Sequence, residues 1–382
     1  MWGSDIDPGA IAQAHKTAQV PILAGPVAIM PDAHVGIGAT VGTVIVTQDA
    51  IIPAAVGVDI GCGMIAVKLD LFRHAMPLDL HPLLKEFAQS VPAGMNQNHT
   101  KASDKATTWL MKNPPPSELP VSDDLVTRQL GTLGSGNHFI EVCVDEQERV
   151  WVVLHSGSRG VGNKLANKYI SLTKRANKEK LPDPDLAWLE SGQPLFDEYL
   201  GFMLWAQNYA LTNREFMMDA VLAQLSYFIG RDGRDLPEIS RINCHHNFAQ
   251  EETIHGWDDV ILHRAWVTRK GAIASYRNQA GVIPGSMGTS TYITAGVGNL
   301  LSYCSSSHGA GRRLSRGQAK RTLSLDSLHT KMEGRAWNSD KASSLLDEHP
   351  DAYKDIHQVM RDQEDLTVPI AQLTAILNYK GA

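Results

Sequence analysis

The sequence predicts an α+β fold, and three observations carry that prediction. Short runs rich in Val, Ile and Thr recur at Val41–Val46, Met64–Leu69, Val150–Leu154, Ala265–Thr268 and Thr291–Thr294, the composition of strands. Between the third and the fourth runs lies an apolar stripe, Leu195, Tyr199, Phe202, Ala206 and Tyr209, spaced by four, three, four and three, the period of a helix. That stripe reads as a packing face rather than a cofactor box. Asn113-Pro-Pro-Pro-Ser117 suits neither a helix nor a central strand and marks a linker or surface loop. A second helical region is predicted over Tyr353–Asp362 and through the segment leading to Leu377.

At 382 residues the chain accommodates one large domain or two closely packed ones. Hydrophobic residues make up 43% and charged ones 20%, the composition of a globular protein with an ample core. A formal net charge of −6 excludes a uniformly cationic nucleic-acid binder, so any RNA contact has to come from a local basic surface. The opening Met-Trp-Gly-Ser-Asp-Ile-Asp lacks the regions of a signal peptide, and no run of 18 apolar residues occurs to span a membrane. The 4 cysteines (Cys62, Cys143, Cys244, Cys304) are scattered without CxxC pairs, which fits reduced thiols and a cytoplasmic location.

The chemistry concentrates in short islands, most of them rich in glycine and bearing Cys, His or Asp. Four are Met30-Pro-Asp-Ala-His-Val-Gly36, Gly57-Val-Asp-Ile-Gly-Cys-Gly63, Gly131-Thr-Leu-Gly-Ser-Gly-Asn-His138 and Leu154-His-Ser-Gly-Ser-Arg-Gly160. Asn243-Cys-His-His-Asn247, Ile283-Pro-Gly-Ser-Met-Gly288 and Ser307-His-Gly-Ala-Gly-Arg312 follow. Clustered glycine implies tight turns or close backbone approach to a ligand.

Asp59, Cys62, His138, His155 and His246 are standard transition-metal ligand types, and a thiolate can bridge two ions. Taken singly, each is more often a satisfied core or strand-end residue; taken as a set, they point to metal. Thiolate and imidazole suit zinc, whereas the carboxylate is compatible with a harder ion such as manganese. In the vicinal pair His245-His246 only one ring can face a metal from a strand.

No Walker A or Rossmann fingerprint is present, and Lys331-Met-Glu-Gly334 matches the Lys-x-Asp-Gly of lysine nucleotidyl ligases only by chance. Pro284-Gly-Ser-Met287 and His308-Gly-Ala-Gly311 instead offer backbone amides and hydroxyls for phosphates. His308, set among small residues, has room for a bulky adduct and is a candidate nucleophile, although a histidine in a loop is more often only that. Arg312 to Arg321 holds five basic residues in ten and is a candidate RNA-backbone surface. Lys164, Lys168, Lys174, Arg175, Lys178 and Lys180 form a second basic stretch, equally readable as a solvated helix face.

Together these islands resemble those of the RtcB family, RNA-splicing ligases that join a 3′-phosphate or 2′,3′-cyclic phosphate end to a 5′-hydroxyl end. The likeness runs in register from Ile29 to Lys380-Gly381. It implies an α+β architecture with a central cleft, residues 1–382 forming a single catalytic domain. It also implies two manganese ions, one on Asp59, Cys62 and His138 and the other on Cys62, His155 and His246. His308 then carries GMP taken from GTP. The implied nucleotide-binding set is Asn137, His138, Phe139, Ile140, Glu141, His246, Asn247, Pro284, Gly285, Ser286, Met287, Thr291, His308, Gly309, Ala310, Gly311 and Lys380, with Glu141 and Lys380 near the guanine. RNA and GTP are the implied partners; no activating protein is specified by the residues.

Two departures stand out: the chain begins nearer its first island than family members do, leaving an N-terminal strand short or missing, and Ser305-Ser306 occupy positions where the family carries a cysteine. Neither touches a matched ligand or His308; both bear on whether the RNA is joined in tRNA splicing or in repair. The competing readings are a two-metal RNA cyclic phosphodiesterase without ligation and a non-catalytic RNA-binding protein with a structural metal. The first has no use for His308, Lys380 or the Pro-Gly-Ser-Met loop, and the second fits poorly with five dispersed ligands, since structural sites are normally closed by four.

Overall fold

The computed structural model describes residues 1–255 and 261–381. Each predicted strand run lies inside an observed strand: Val41–Gln48, Gly63–Phe72, Arg149–Ser156, Ile261–Lys270 and Thr291–Gly296. They belong to two main sheets. The larger has the spatial order Ala280–Pro284, Thr291–Gly296, Thr367–Lys380, Phe139–Val144, Arg149–Ser156, Gly63–Phe72 and Glu238–His245, all antiparallel, with Ala336–Trp337 pairing parallel to the end of Thr367–Lys380. The smaller has the order Ala28–His34, Val41–Gln48, Ile261–Lys270 and Asn247–His255. His246 is the single residue between Glu238–His245 in one sheet and Asn247–His255 in the other.

The central strands of the large sheet are apolar on both faces, which is why they read as continuous hydrophobic runs. Along Gly63–Phe72, Ile65, Val67 and Leu69 enter one core together with Leu83, Phe87, Val152 and Leu225. Met64 and Ala66 enter another, with Phe139, Val153, Ile293 and Leu373. The apolar stripe at Tyr199, Phe202, Ala206 and Tyr209 belongs to a 35-residue helix, Pro194–Phe228, and is buried against the helix Arg159–Ala176. Asn113–Ser117 is a loop, as its prolines require. Among the described residues no helix is long and apolar enough to cross a membrane.

One expectation fails. The helix in the C-terminal region spans only Ile356–Arg361, and the segment leading to Leu377 is the 14-residue strand Thr367–Lys380. Leu366, Ile370, Leu373 and Leu377 are spaced four, three and four apart, which mimics a helical stripe. The buried positions instead alternate, Ala371, Leu373 and Ala375 entering one core and, past a register shift, Leu377 and Tyr379 the other, while Ile370 is 62% exposed. Small inward alanines weaken that alternation in a hydropathy reading.

This register predicts unequal costs for two substitutions on the same strand. Leu373→Ala should lower unfolding free energy by about 2–5 kcal/mol, and Ile370→Ala by no more than about 0.5 kcal/mol. Equal shifts in the urea midpoint for the two variants would contradict the strand.

Candidate metal and nucleotide site

Asp59 and Cys62 occupy the turn between the short helix Pro53–Val56 and the strand Gly63–Phe72. Gly61 holds the turn with φ +73°, a left-handed conformation that costs other residues energy. His138 immediately precedes the strand Phe139–Val144, and His155 stands opposite both Met64 and Phe139 in the sheet register. His246, at the crossing between the sheets, donates its backbone N–H to Cys62 O at 2.8 Å. The fold thus brings Asp59, Cys62 and His138 into one group and Cys62, His155 and His246 into a second, the ligand atoms in each lying within 4.8 Å of one another. Cys62 belongs to both.

Cys62 Sγ lies 3.4 Å from His138 Nε2 and 3.3 Å from His155 Nε2. His138 Nε2 is 3.1 Å from Asp59 Oδ2, and His155 Nε2 is 2.9 Å from His246 Nε2. The remaining ring nitrogens fix two tautomers: His138 Nδ1 donates to Leu133 O at 2.8 Å, and His155 Nδ1 donates to Asn137 O at 3.2 Å. Nε2 of each ring therefore turns a lone pair toward the cluster, the orientation a metal-ligating histidine takes. Burial pushes the Cys62 thiol well above its ordinary range, and the neighbouring Asp59 charge pushes it further. Burial and the nearby His138 and His308 hold His155 well below its ordinary value. A site that resists both a bare thiolate and an imidazolium, yet gathers sulfur, nitrogen and oxygen donors, suits a bound cation, which reverses the cost of the thiolate. The lack of a side chain at Gly157 makes room for this: a Cβ there would lie 2.3 Å from Asp59 Oδ1. Of the vicinal pair, His246 faces the cluster and His245 Nδ1 turns to Gly61 O at 2.8 Å.

Next to the cluster is a cavity of about 220 Å³. Thirteen of the residues proposed for nucleotide border it: Asn137, Phe139, Glu141, Pro284, Gly285, Ser286, Met287, Thr291, His308, Gly309, Ala310, Gly311 and Lys380. His138 and His246 sit in the donor cluster instead. Asn247 also lies outside the lining, its Oδ1 accepting from Gly271 N at 2.9 Å. Ile140 is the clear exception: strand alternation sends it to the opposite face, fully buried with Val142 and Val152.

His308 follows the strand Ser305–Ser307, with its ring centroid 4.7 Å from that of His246. Its Nδ1 is 2.6 Å from Asp32 Oδ2, and that carboxylate also accepts from the backbone N–H of His308 and Gly309, at 3.1 and 3.3 Å. Asp32 and the nearby His34 lay in a recognised island but received no role from the sequence. Glu348 was missed altogether. Wholly buried, it accepts from Tyr353 Oη at 2.7 Å and pairs with Lys380 at 3.1 Å and Arg312 at 3.3 Å. No local motif signals it, because Leu-Asp-Glu-His-Pro looks like a solvated acidic turn. Glu141 accepts from Asn378 Nδ2 at 2.7 Å, and burial pushes its carboxyl up to about 7 despite that bond and the Lys380 charge.

The basic runs are less free than their sequence suggests. Arg316 pairs with Glu348 and with Asp347 at 2.7 Å, and Lys320 with Asp347 at 3.4 Å. In the second stretch, Lys168 pairs with Glu198 at 3.3 Å and Lys174 with Asp185. Lys331, of the chance ligase-like motif, pairs with Asp351 at 2.9 Å.

Comparison with known proteins shows the family. The family model described as tRNA-splicing ligase RtcB matches residues 13–116 and 117–381. The chain is 40% identical to the RNA-splicing ligase RtcB of Escherichia coli (strain K12), with 100% of this chain and 97% of that protein aligned. It is 29% identical to the tRNA-splicing ligase RtcB of Nanoarchaeum equitans, over 97% of this chain and 91% of the relative. For the tRNA-splicing ligase RtcB of Aeropyrum pernix the identity is 30%, over 87% and 82%.

Glu141 supplies a test of the cavity's electrostatics. Its folded value near 7 exceeds the ordinary 4.5, so across that window the folded chain keeps a proton that the unfolded chain has released. Glu141 therefore lowers stability as pH rises through the window, and its contribution is constant above it. Urea midpoints taken at about pH 5 and about pH 8 should show a loss in the wild type that Glu141→Gln does not share. Parallel profiles for the two proteins would remove the assignment.

Proposed function

The chain belongs to the RtcB family of RNA ligases, and from that premise we propose that it joins RNA 3′-phosphate or 2′,3′-cyclic phosphate ends to 5′-hydroxyl ends through a guanylylated His308. The observation that carries this reading is the setting of His308, whose Nδ1 is 2.6 Å from Asp32 and whose ring adjoins His246 at the edge of the cavity. With Nδ1 held against a carboxylate, Nε2 keeps its lone pair and acts as the nucleophile. It attacks the α-phosphorus of GTP; the N–P bond forms as the bond to pyrophosphate breaks. An oxygen of the RNA 3′-phosphate then takes the GMP, returning the electron pair to His308 and leaving an RNA-ppG end. The 5′-hydroxyl attacks the terminal RNA phosphorus, its proton leaves, and GMP departs. A cyclic phosphate is opened by water beforehand.

Asp59, Cys62 and His138 would hold one manganese ion and Cys62, His155 and His246 a second. When bound, the ions offset the negative charge of the reacting phosphates. Glu141 and Lys380 are proposed to face the guanine, with Asn137, Phe139, Ser286 and Thr291 on the nucleotide and the backbone of Pro284–Met287 and Gly309–Gly311 along its phosphates. Residues 1–382 act as one catalytic domain in this reading, since the cavity draws on residues from His34 to Lys380.

Incubation with α-labelled GTP and manganese should leave label on the denatured wild-type protein, acid-labile and alkali-stable as a phosphoramidate is. His308→Ala should take up none while retaining its fold. Label on the variant removes the nucleophile assignment. Opening of cyclic phosphates with no label on the wild type would favour the phosphodiesterase. A second expectation concerns the shared thiolate. Elemental analysis should show Cys62→Ala losing more metal than His138→Ala or His155→Ala, by at least the about 10–100-fold in affinity that supporting contacts command. Unchanged metal content in Cys62→Ala refutes a bridged pair.

A further inference from the structure

Midway along the helix Pro194–Phe228 stand Asn213 and Arg214, each 0% exposed in a mostly apolar packing face. Burying an amide and a guanidinium is costly unless every polar atom finds a partner, so their partners disclose their purpose. Asn213 Oδ1 accepts from Gly131 N at 2.8 Å and Thr132 N at 3.2 Å. Its Nδ2 lies within donating distance of Thr132 O at 3.2 Å, Gly157 O at 3.2 Å and Ser156 Oγ at 3.3 Å. Arg214 Nη1 donates to Gly61 O at 2.8 Å and Ser156 O at 3.1 Å. Its Nε donates to Asn243 Oδ1 at 2.7 Å, and its Nη2 lies 3.2 Å from His245 Nδ1, the nitrogen that faces Gly61 O.

These partners share one property. Gly61 precedes Cys62, Ser156 follows His155 and His245 precedes His246. The Gly131–Thr132 turn leads to Leu133, whose carbonyl accepts from His138 Nδ1 and from Ser156 Oγ, both at 2.8 Å. One dipeptide on a helix that carries no cluster donor thus grips the backbone beside Cys62 and His155, the turn that leads to the carbonyl holding His138, and the side chain of Asn243 on the strand that ends at His246. Among the described residues no carboxylate lies within ion-pair distance of Arg214; Glu215 turns instead to Arg241 and to Asn243 Nδ2, the latter at 2.7 Å. Arg214 is spent on loop carbonyls and not on an ion pair.

We propose that Asn213 and Arg214 form a positioning clamp that sets the spacing of Cys62, His138, His155 and His246, and so the affinity of the cluster for metal. The proposal rests on the metal reading above. It depends on the planar fork of arginine, which reaches Gly61 O, Ser156 O and Asn243 Oδ1 together; a lysine ammonium on a flexible stem cannot reproduce that.

The test is Co²⁺ titration of the full chain, following both the binding curve and the thiolate-to-cobalt charge-transfer absorption. Arg214→Lys should bind Co²⁺ at least about 10-fold more weakly and with a weakened charge-transfer band. Asn213→Asp, which keeps the acceptor and loses the donors, should behave likewise and serves should Arg214→Lys not fold. Leu225→Ala, a fully buried substitution in the same helix away from the clamp, controls for lost stability and should bind as the wild type does. Wild-type affinity and spectrum in Arg214→Lys or Asn213→Asp overturns the clamp, as does an equal loss in Leu225→Ala. A wild-type chain that takes up no Co²⁺ overturns the metal reading and the clamp with it.

Discussion

Cys62 Sγ and the Nε2 atoms of His138, His155 and His246 face one another in a chamber with almost no access to water. Polar atoms in that position need partners, and lone pairs turned toward one another do not satisfy each other, which is the setting that suits a cation. Much of the surrounding sequence answers to this constraint. The Nδ1 atoms of His138 and His155 are committed to backbone carbonyls, Gly61 adopts a left-handed turn, and Gly157 gives up a side chain so that the Asp59 carboxylate can come close. The two sheets meet at His246 because the chain passes from one to the other there, which places one donor where strands of the large sheet supply the rest.

Outward from the cluster the balance of charge changes. Asp32 and Glu348 are fully or nearly fully buried anions, and each gathers its own set of donors. Asp32 holds the backbone of His308 and Gly309 and lies beside the His308 ring, Oδ2 being 2.6 Å from Nδ1. Glu348 collects Lys380, Arg312, Arg316 and Tyr353 at the far side of the cavity. Those cations are therefore held by an acid instead of by water, an arrangement that would need little reorganisation to meet the negatively charged ligand proposed for the cavity. Of the five basic residues after His308 only Arg312 is half-buried by this pairing; Arg313, Arg316, Lys320 and Arg321 stay exposed.

The sequence alone determined the α+β class and five of the strands, because long apolar runs and one strong helical stripe survive any tertiary arrangement. It also singled out Asp59, Cys62, His138, His155 and His246, which the fold gathers into two groups that share Cys62, because they stand in short islands, most of them with glycines that imply close backbone approach. The segment 367–380 was misread because a strand with small alanines at alternate inward positions leaves its larger residues at helical spacing. Ile140 was assigned with its neighbours Phe139 and Glu141, although a strand must send it to the other face. Tertiary structure alone decided which of two adjacent histidines meets Cys62, that Asp32 braces His308 across 276 residues of chain, and that Glu348 anchors Lys380. It also decided that Asn213 and Arg214, ordinary polar positions in a helical pattern, hold the loops of the cluster. Local patterns record the period of an element and the chemistry of a side chain; which buried donor finds which acceptor depends on distances that exist only once the sheets and the long helix have packed.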